Sequence, residues 1–313
     1  MAQNDSIIAL DVSKDRLDGF DDETGDVFQI ENSPAGYVAL RQRCRKRTVQ
    51  IVMEASGGYE RPVAQTMVKA EIPVRIVDPR KVRYYAKASG RWAKNDRLDA
   101  RMIAAYAKAI KGEDHKPDKD REALAELTTY RRQLLEDRTT ITNQARRLEN
   151  AELRRLAKRR LKSIALQIVL VDKRIASHIA ASEVLKTKNK FLRSIPAIGP
   201  VFASTALAHM PELGALTRQQ AAALAGVAPM DNQSGKRDGP RSIYGGRPAV
   251  RNVLYMAAVV ASRHNPPLAA FYKKLIAAGK KPKVALTALM RKIIVLANSI
   301  LRQQREYDPA HAS

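Results

Sequence analysis

Three short apolar runs punctuate the first third of the chain, and each stops at an acid. Ile7-Ile8-Ala9-Leu10 ends at Asp11, Val49 to Met53 ends at Glu54, and Val74 to Val77 precedes Asp78-Pro79. Runs of this length closed by turn formers read as strands buried in a sheet. Helical periodicity alternates with them: Pro34 to Arg47 offers Val38, Leu40 and Cys44 to an inner face, Pro62 to Lys69 follows Glu54, and Leu98 to Ile110 carries Leu98, Met102, Ile103 and Tyr106. The pattern predicts an α/β domain over residues 1–115.

From Arg121 to about Ala181 glycine and proline vanish, and apolar residues recur every seven positions at Leu127, Leu134, Ile141 and Leu148, then at Leu161, Ile168 and Ile175. The register breaks between Leu148 and Leu161, through the basic runs Arg154-Arg155 and Lys158-Arg159-Arg160. Two long helices are expected over 116–188, folded as a coiled-coil hairpin or used between subunits. The second seam of the first helix, Leu124, Arg131, Arg138 and Ala145, alternates apolar and cationic residues and argues against a simple zipper. Residues 189–313 read as an all-α domain broken by Pro196, Gly199, Pro211 and Gly226, with a glycine-rich cationic loop from Gly235 to Gly246 and closing helices from about Pro248 to Arg263 and Lys283 to Arg302.

Charge selects the class of partner. Lys+Arg 56 against Asp+Glu 32 gives a formal net charge of +24 and a pI of about 10.3, the sign expected of a protein that meets a polyphosphate. A single cysteine, Cys44, excludes an internal disulfide and a cysteine-based zinc cluster. The five histidines show no metal-ligand spacing. Charge appears too early in MAQNDSIIALDVSKD for a signal peptide, and no uninterrupted apolar stretch reaches the ~18 residues of a membrane span. The expectation is a soluble protein of the cytoplasm, associated with the nucleoid and not with a membrane.

Within so cationic a chain, carboxylates that converge are informative. Asp11 and Glu54 each follow a strand, and Asp96 and Asp99 open a helix at a spacing of three, which places both on one helical face. Hard oxygen donors suit Mg²⁺ or Mn²⁺, and such ions can clamp the attacking and leaving oxygens of a phosphoryl transfer. The plainer reading has Asp11 in a turn, Glu54 as one surface acid among many, and Asp96 with Asp99 complementing a helix N-terminus. Lys94 and Arg97 beside these acids are candidate phosphate grips or parts of a solvated face.

The segments IALDVSKDRLD, VMEASGGYERPVA and VDPRKVRYYAKASGRWAKNDRLDARMIA, with the C-terminal half, resemble the DEDD-type insertion-sequence transposases of the IS110 family along nearly the whole chain. The resemblance implies a ribonuclease-H-like first domain similar to the RuvC junction resolvase, with Asp11, Glu54, Asp96 and Asp99 as its four metal-binding acids. Lys94-Asn95-Asp96-Arg97-Leu98-Asp99-Ala100 looks like the family's Lys-Thr-Asp-x-x-Asp-Ala block, with Asn95 in place of threonine. Ala225-Gly226-Val227-Ala228-Pro229 and the later Ser234-Gly235 resemble the blocks that carry the family's nucleophile, which falls on Ser234. Lys236, Arg237 and Arg241 would then stabilise a pentacovalent phosphate.

Phe191 to Pro200 looks like a helix-hairpin-helix turn, with Ala197 where a glycine is usual, so backbone capture of phosphate and a purely structural turn are equal readings. Lys280, Lys283 and Arg291 resemble the family's closing basic block and are candidate nucleic-acid contacts. The resemblance further implies both halves acting on one scissile phosphate of donor and target DNA, a bridge or seeker RNA as guide, and a homo-oligomer, dimer or tetramer. Two rivals stand beside this transposase reading: a metal-dependent junction nuclease that uses water, and a non-catalytic nucleic-acid-binding protein.

Overall fold

A computed structural model of the chain describes the backbone of residues 6–90, 96–234 and 237–308, and the side chains of these residues apart from 96–98 and 231–240. The chain divides into two compact units, 1–117 and 118–313. Mostly helices surround one central mixed sheet in the first unit, while the second is helical apart from one hairpin.

The first unit runs β1 (Ser6–Val12), β2 (Arg16–Asp21), β3 (Val27–Glu31), α1 (Pro34–Arg43), β4 (Val49–Glu54), α2 (Glu60–Lys69), β5 (Val74–Val77), α3 (Pro79–Ala88) and α4 (Asp96–Ala109). The sheet order is β3-β2-β1-β4-β5. The first three strands pair antiparallel, and β1-β4 and β4-β5 pair parallel. Alternation along β1 explains the layering. Ile8, Leu10 and Val12 join Ile51, Met53, Leu40, Val63 and Met67 on the α1/α2 face, whereas Ile7 and Ala9 join Val52, Met102, Ile103 and Tyr106 under α3 and α4. Both faces are covered, so the central strands read as continuous apolar runs.

Ser33 caps α1 by accepting from the Gly36 N–H, and Asp78 caps α3 by accepting from the Arg80 N–H at 2.9 Å. Each is followed by proline at the first helical position, where a missing N–H costs nothing. The second strand ends at Asp21, which is 2% exposed and held by Arg47 through bonds of 2.6 and 2.9 Å. Arg47 also donates to Glu23 and to the Ser6 hydroxyl. The guanidinium holds the Asp21 carboxyl below the usual carboxylate range, ahead of the opposing effect of burial.

An Arg47→Ala chain should lose about 3 kcal/mol, because the buried carboxylate is left without its counter-charge. Since the native value is depressed, this stabilisation is complete above the unfolded-state value and disappears as pH falls through the native one. Urea titrations of both proteins at neutral and strongly acidic pH would show the gap narrowing toward acid; a gap independent of pH would contradict the assignment.

The second unit begins with α5 (Lys119–Ala145) and α6 (Ala151–Ala181). They pack on each other as an antiparallel hairpin, with Leu134 and Ile141 meeting Ala157, Ile164 and Ile168, and with Arg131 bonded to Asp172 at 2.6 Å. The heptad positions are therefore satisfied within one chain. Next come α7 (Glu183–Arg193), α8 (Pro200–His209), α9 (Arg218–Leu224), β6 (Pro229–Ser234), β7 (Arg237–Ile243), α10 (Pro248–His264), α11 (Pro266–Ala277) and α12 (Pro282–Gln303). The segment expected as a cationic loop thus contributes to an antiparallel β6-β7 pair.

Phe202, Leu254, Leu289 and Ile293 form part of a core to which α5 also contributes Leu124. The longest apolar helix, α12, has the length and composition of a membrane span, yet 56% of that window is buried inside the unit. Its Asn298 is buried and satisfied on both sides, accepting from Gly214 N–H and donating to the Leu216 carbonyl, each at 2.8 Å. These contacts make α12 a core helix.

Candidate functional site

Strand register brings the first two acids together. The parallel pairing of β1 with β4 runs from Ser6 opposite Val49 to Leu10 opposite Met53, so Asp11 and Glu54 are the next residues in line. Leu10 and Met53 share the α1/α2 face, and alternation turns the next residue of each strand to the α4 face. Both acids are partly buried.

Helix α4 runs antiparallel to β1. Its Lys108 pairs with Asp22 at 2.5 Å, whose N–H reaches the Ile7 carbonyl, while Arg101 lies 5.2 Å over the ring of Phe20, the partner of Ala9. Five helical residues and two strand residues each span about 7 Å. Counting back from Arg101 brings the start of α4, at Asp96, level with Asp11 at the carboxyl end of β1. Asp99, partly buried, lies one turn further in.

The donor set is all-carboxylate, the chemistry that fits Mg²⁺ or Mn²⁺. Among the described residues no three acidic, histidine or cysteine side chains stand close enough to hold an ion. The side chains of Asp96 and Arg97 lie outside the described set, as does the whole of Lys94. Asp11, Glu54 and Asp99 each have a polar or electrostatic partner.

Sequence reading missed the residue that shapes the loop after Glu54. Glu60, 7% exposed at the start of α2, accepts from the Ser56 N–H, the Ser56 hydroxyl and the Gly58 N–H, each at 2.9 Å. Burial acts most strongly on its carboxyl and pushes it up, but the backbone and hydroxyl donors together outweigh it and hold the group below the usual range. The chain leaving Glu54 is therefore fixed to the helix that follows. The Ala55 N–H bonds the Val77 carbonyl at 3.0 Å, which ties the same point to β5.

Ser234 is the last residue of β6 and pairs in register with Arg237, the first of β7. Its side chain and that of Arg237 are outside the described set, as is all of Lys236; Arg241, further along β7, is exposed and has a partner. The root of this hairpin is clamped. A Cβ on Gly246 would stand 2.2 Å from the Gly226 nitrogen, so only glycine permits the two segments to touch. The Arg247 N–H bonds the Leu224 carbonyl, its guanidinium holds Glu212 at 2.6 and 2.5 Å, and Arg251 holds the Gly245 carbonyl. Burial acts most strongly on the Glu212 carboxyl and pushes it up, but the Arg247 bonds, a backbone hydrogen bond and the nearby guanidinium charges together outweigh it and hold the group below its usual range. The glycines signalled the close approach in sequence; the Glu212-Arg247 pair left no local trace.

The turn between α7 and α8 retains its hairpin form without the usual glycine: Ala197 sits at φ 83. Ile195 and Ile198 are buried beneath it, and Asn265 donates to the Pro196 carbonyl at 3.1 Å. A left-handed alanine is strained, so Ala197→Gly should raise stability by about 0.5–1 kcal/mol after the entropy gained by the unfolded chain is subtracted. Chemical denaturation would measure it, and a loss of stability would mean that the turn is not under this strain. Lys280, just before α12, and Lys283 and Arg291 on it are all exposed.

Comparison with known families adds two matches. Residues 8–149 match the DEDD IS110 model, described as a transposase, and residues 189–273 match the model described as the transposase IS116/IS110/IS902 family. Two relatives are the pilin gene-inverting proteins of Moraxella lacunata and Moraxella bovis. Each is 25% identical over 317 aligned residues, covering 96% of this chain and 97% of the relative.

Proposed function

Because the chain belongs to the IS110 family of transposases and is a DNA transposase or recombinase, we propose that it breaks and rejoins DNA with four carboxylates and a serine nucleophile. The observation that carries the metal half of this reading is the adjacency of Asp11 and Glu54 at neighbouring strand ends, with α4 beginning level with them. The sheet order and pairing suit a ribonuclease-H-like, RuvC-like domain. Asp11, Glu54, Asp96 and Asp99 would hold Mg²⁺ or Mn²⁺, which when bound supplies charge stabilisation to a phosphoryl transfer.

In the second unit the Ser234 oxygen bonds to phosphorus as the phosphorus–oxygen bond to one DNA end breaks, and that end leaves as a hydroxyl. A strand hydroxyl then attacks the phosphoserine, forms the new phosphodiester and returns the serine. Lys236, Arg237 and Arg241 are the cations that can steady the phosphate's charge. The relatives' name supports rejoining over hydrolysis: inverting a gene leaves its broken ends joined again.

Donor and target DNA are the substrates, and Lys94, Arg97, Lys280, Lys283 and Arg291 are proposed backbone contacts. Family resemblance supports a bridge or seeker RNA as guide and assembly as a dimer or tetramer in the cytoplasm. The test is strand exchange between labelled donor and target in Mg²⁺ and in chelator. Joined product is expected only with the ion; absence of any cut or joined strand in Mg²⁺ or Mn²⁺ overturns the reading. Full activity in a preparation free of RNA would reject the guide alone.

A further inference from the structure

The inner side of the α5-α6 hairpin is apolar, while the rest of α6's first three turns is dominated by cations, with Leu153 and Leu156 exposed among them. Arg154, Arg155, Lys158, Arg159, Arg160 and Lys162 are all exposed, and no acid occurs between Glu152 and Asp172. Arg154 donates to the Glu149 carbonyl at 2.7 Å; none of the other five has an ion-pair partner among the described residues. Elsewhere on the hairpin Arg131 is answered by Asp172 and Arg132 by Glu136.

The uncompensated arrangement costs stability. Arg154 and Lys158, Arg155 and Arg159, and Lys158 and Lys162 stand four apart, where like charges repel. Arg154 and Arg155 also lie close to the positive end of the helix dipole. Among the described residues no ion pair offsets this, whereas a polyanion would.

The spacing indicates which polyanion. At 3.6 residues per turn, Arg155, Arg159 and Lys162 fall opposite the Ala157-Ile164-Ile168 seam, Arg154 and Lys158 fall on one flank, and Arg160 falls on the other beside the exposed Leu153 and Leu156. A rod with five cations over its outer side and one flank, and a sixth on the other flank, suits a channel walled by phosphates. The major groove of B-form DNA admits a helix, while that of an RNA duplex is too deep and narrow.

We propose that the N-terminal half of α6 is a duplex-DNA-binding surface, which enters the major groove and grips the phosphates on either side without reading sequence. This rests on the chain's being a DNA recombinase, though not on which residues catalyse.

The full chain with Arg155, Lys158, Arg159 and Lys162 all changed to Gln tests it, by titrating a labelled DNA duplex and an RNA duplex of equal length across a salt series. For DNA the log–log salt slope should shrink by about 3–4 and low-salt affinity should fall by about 10²-fold or more. RNA-duplex binding should change far less, and the melting temperature should hold or rise. An unchanged DNA slope, a greater loss on RNA than on DNA, or a lowered melting temperature overturns the proposal. Failure of the wild-type chain to bind either duplex would instead sink the recombinase reading beneath it.

Discussion

An Asp11→Asn chain should fold normally, bind duplex DNA and cut it at least about 10³-fold more slowly. The carboxamide keeps the size of the side chain and removes the charge that would hold a divalent ion. Charge stabilisation by such an ion contributes several kcal/mol in the transition state, and each 1.36 kcal/mol is a factor of ten in rate. Asp11 lies on β1 between buried Leu10 and Val12 and is itself partly open to solvent, so the exchange leaves the apolar layer untouched. Glu54→Gln, on the adjoining strand, should give the same deficit. Single-turnover cleavage in Mg²⁺, with a thermal melt and a DNA titration as controls, distinguishes the cases. Strand exchange unaffected by either change would return the acids to incidental surface charges and favour a protein that only binds nucleic acid.

These two positions were legible in the sequence because β1 and β4 are buried on both faces and carry the unbroken apolar runs Ile7-Ile8-Ala9-Leu10 and Ile51-Val52-Met53, so an acid at the end of each run is conspicuous. Strands β2 and β3 gave no such signal. Arg16–Asp21 is interrupted by Asp18 and Gly19, and Val27–Glu31 by Gln29. That glycine exists for packing: a Cβ there would meet the Phe28 ring at 2.2 Å. Helix α3 was hidden for the opposite reason, since PRKVRYYAKA buries only Val82 and looks like a basic linker. The β6-β7 pair was read as loop because glycine, proline and charge dominate it.

Two ion pairs that brace the fold were illegible because their partners are far apart in the chain. Asp21 and Arg47 are 26 residues apart, and Glu212 and Arg247 are 35 apart. Neither spacing repeats or resembles a motif. Ala197 shows the reverse: the sequence lacks the glycine that predicts a left-handed turn, yet burial of Ile195 and Ile198 and the Asn265 bond accompany that conformation in the fold. Local propensity yields when tertiary contacts outweigh about 1–2 kcal/mol of strain.

A Ser234→Ala chain should lose every covalent protein–DNA species and slow cleavage by at least about 10⁴-fold, the scale on which removal of a nucleophile acts. Folding should be unaffected, because the root of the β6-β7 pair is fixed by Gly226 against Gly246 and by Arg247 on Glu212, none of which involves the serine. Incubating wild-type and Ser234→Ala proteins with labelled DNA and resolving them under denaturing conditions reads both effects at once. The wild type should carry label on the protein; the alanine variant should carry none and leave the DNA intact. A variant that still cuts, with no adduct in either protein, would mean that water is the attacking group, as in a metal-dependent junction nuclease. The four acids would then retain their proposed role, and the cations beside Ser234 would be left with binding alone.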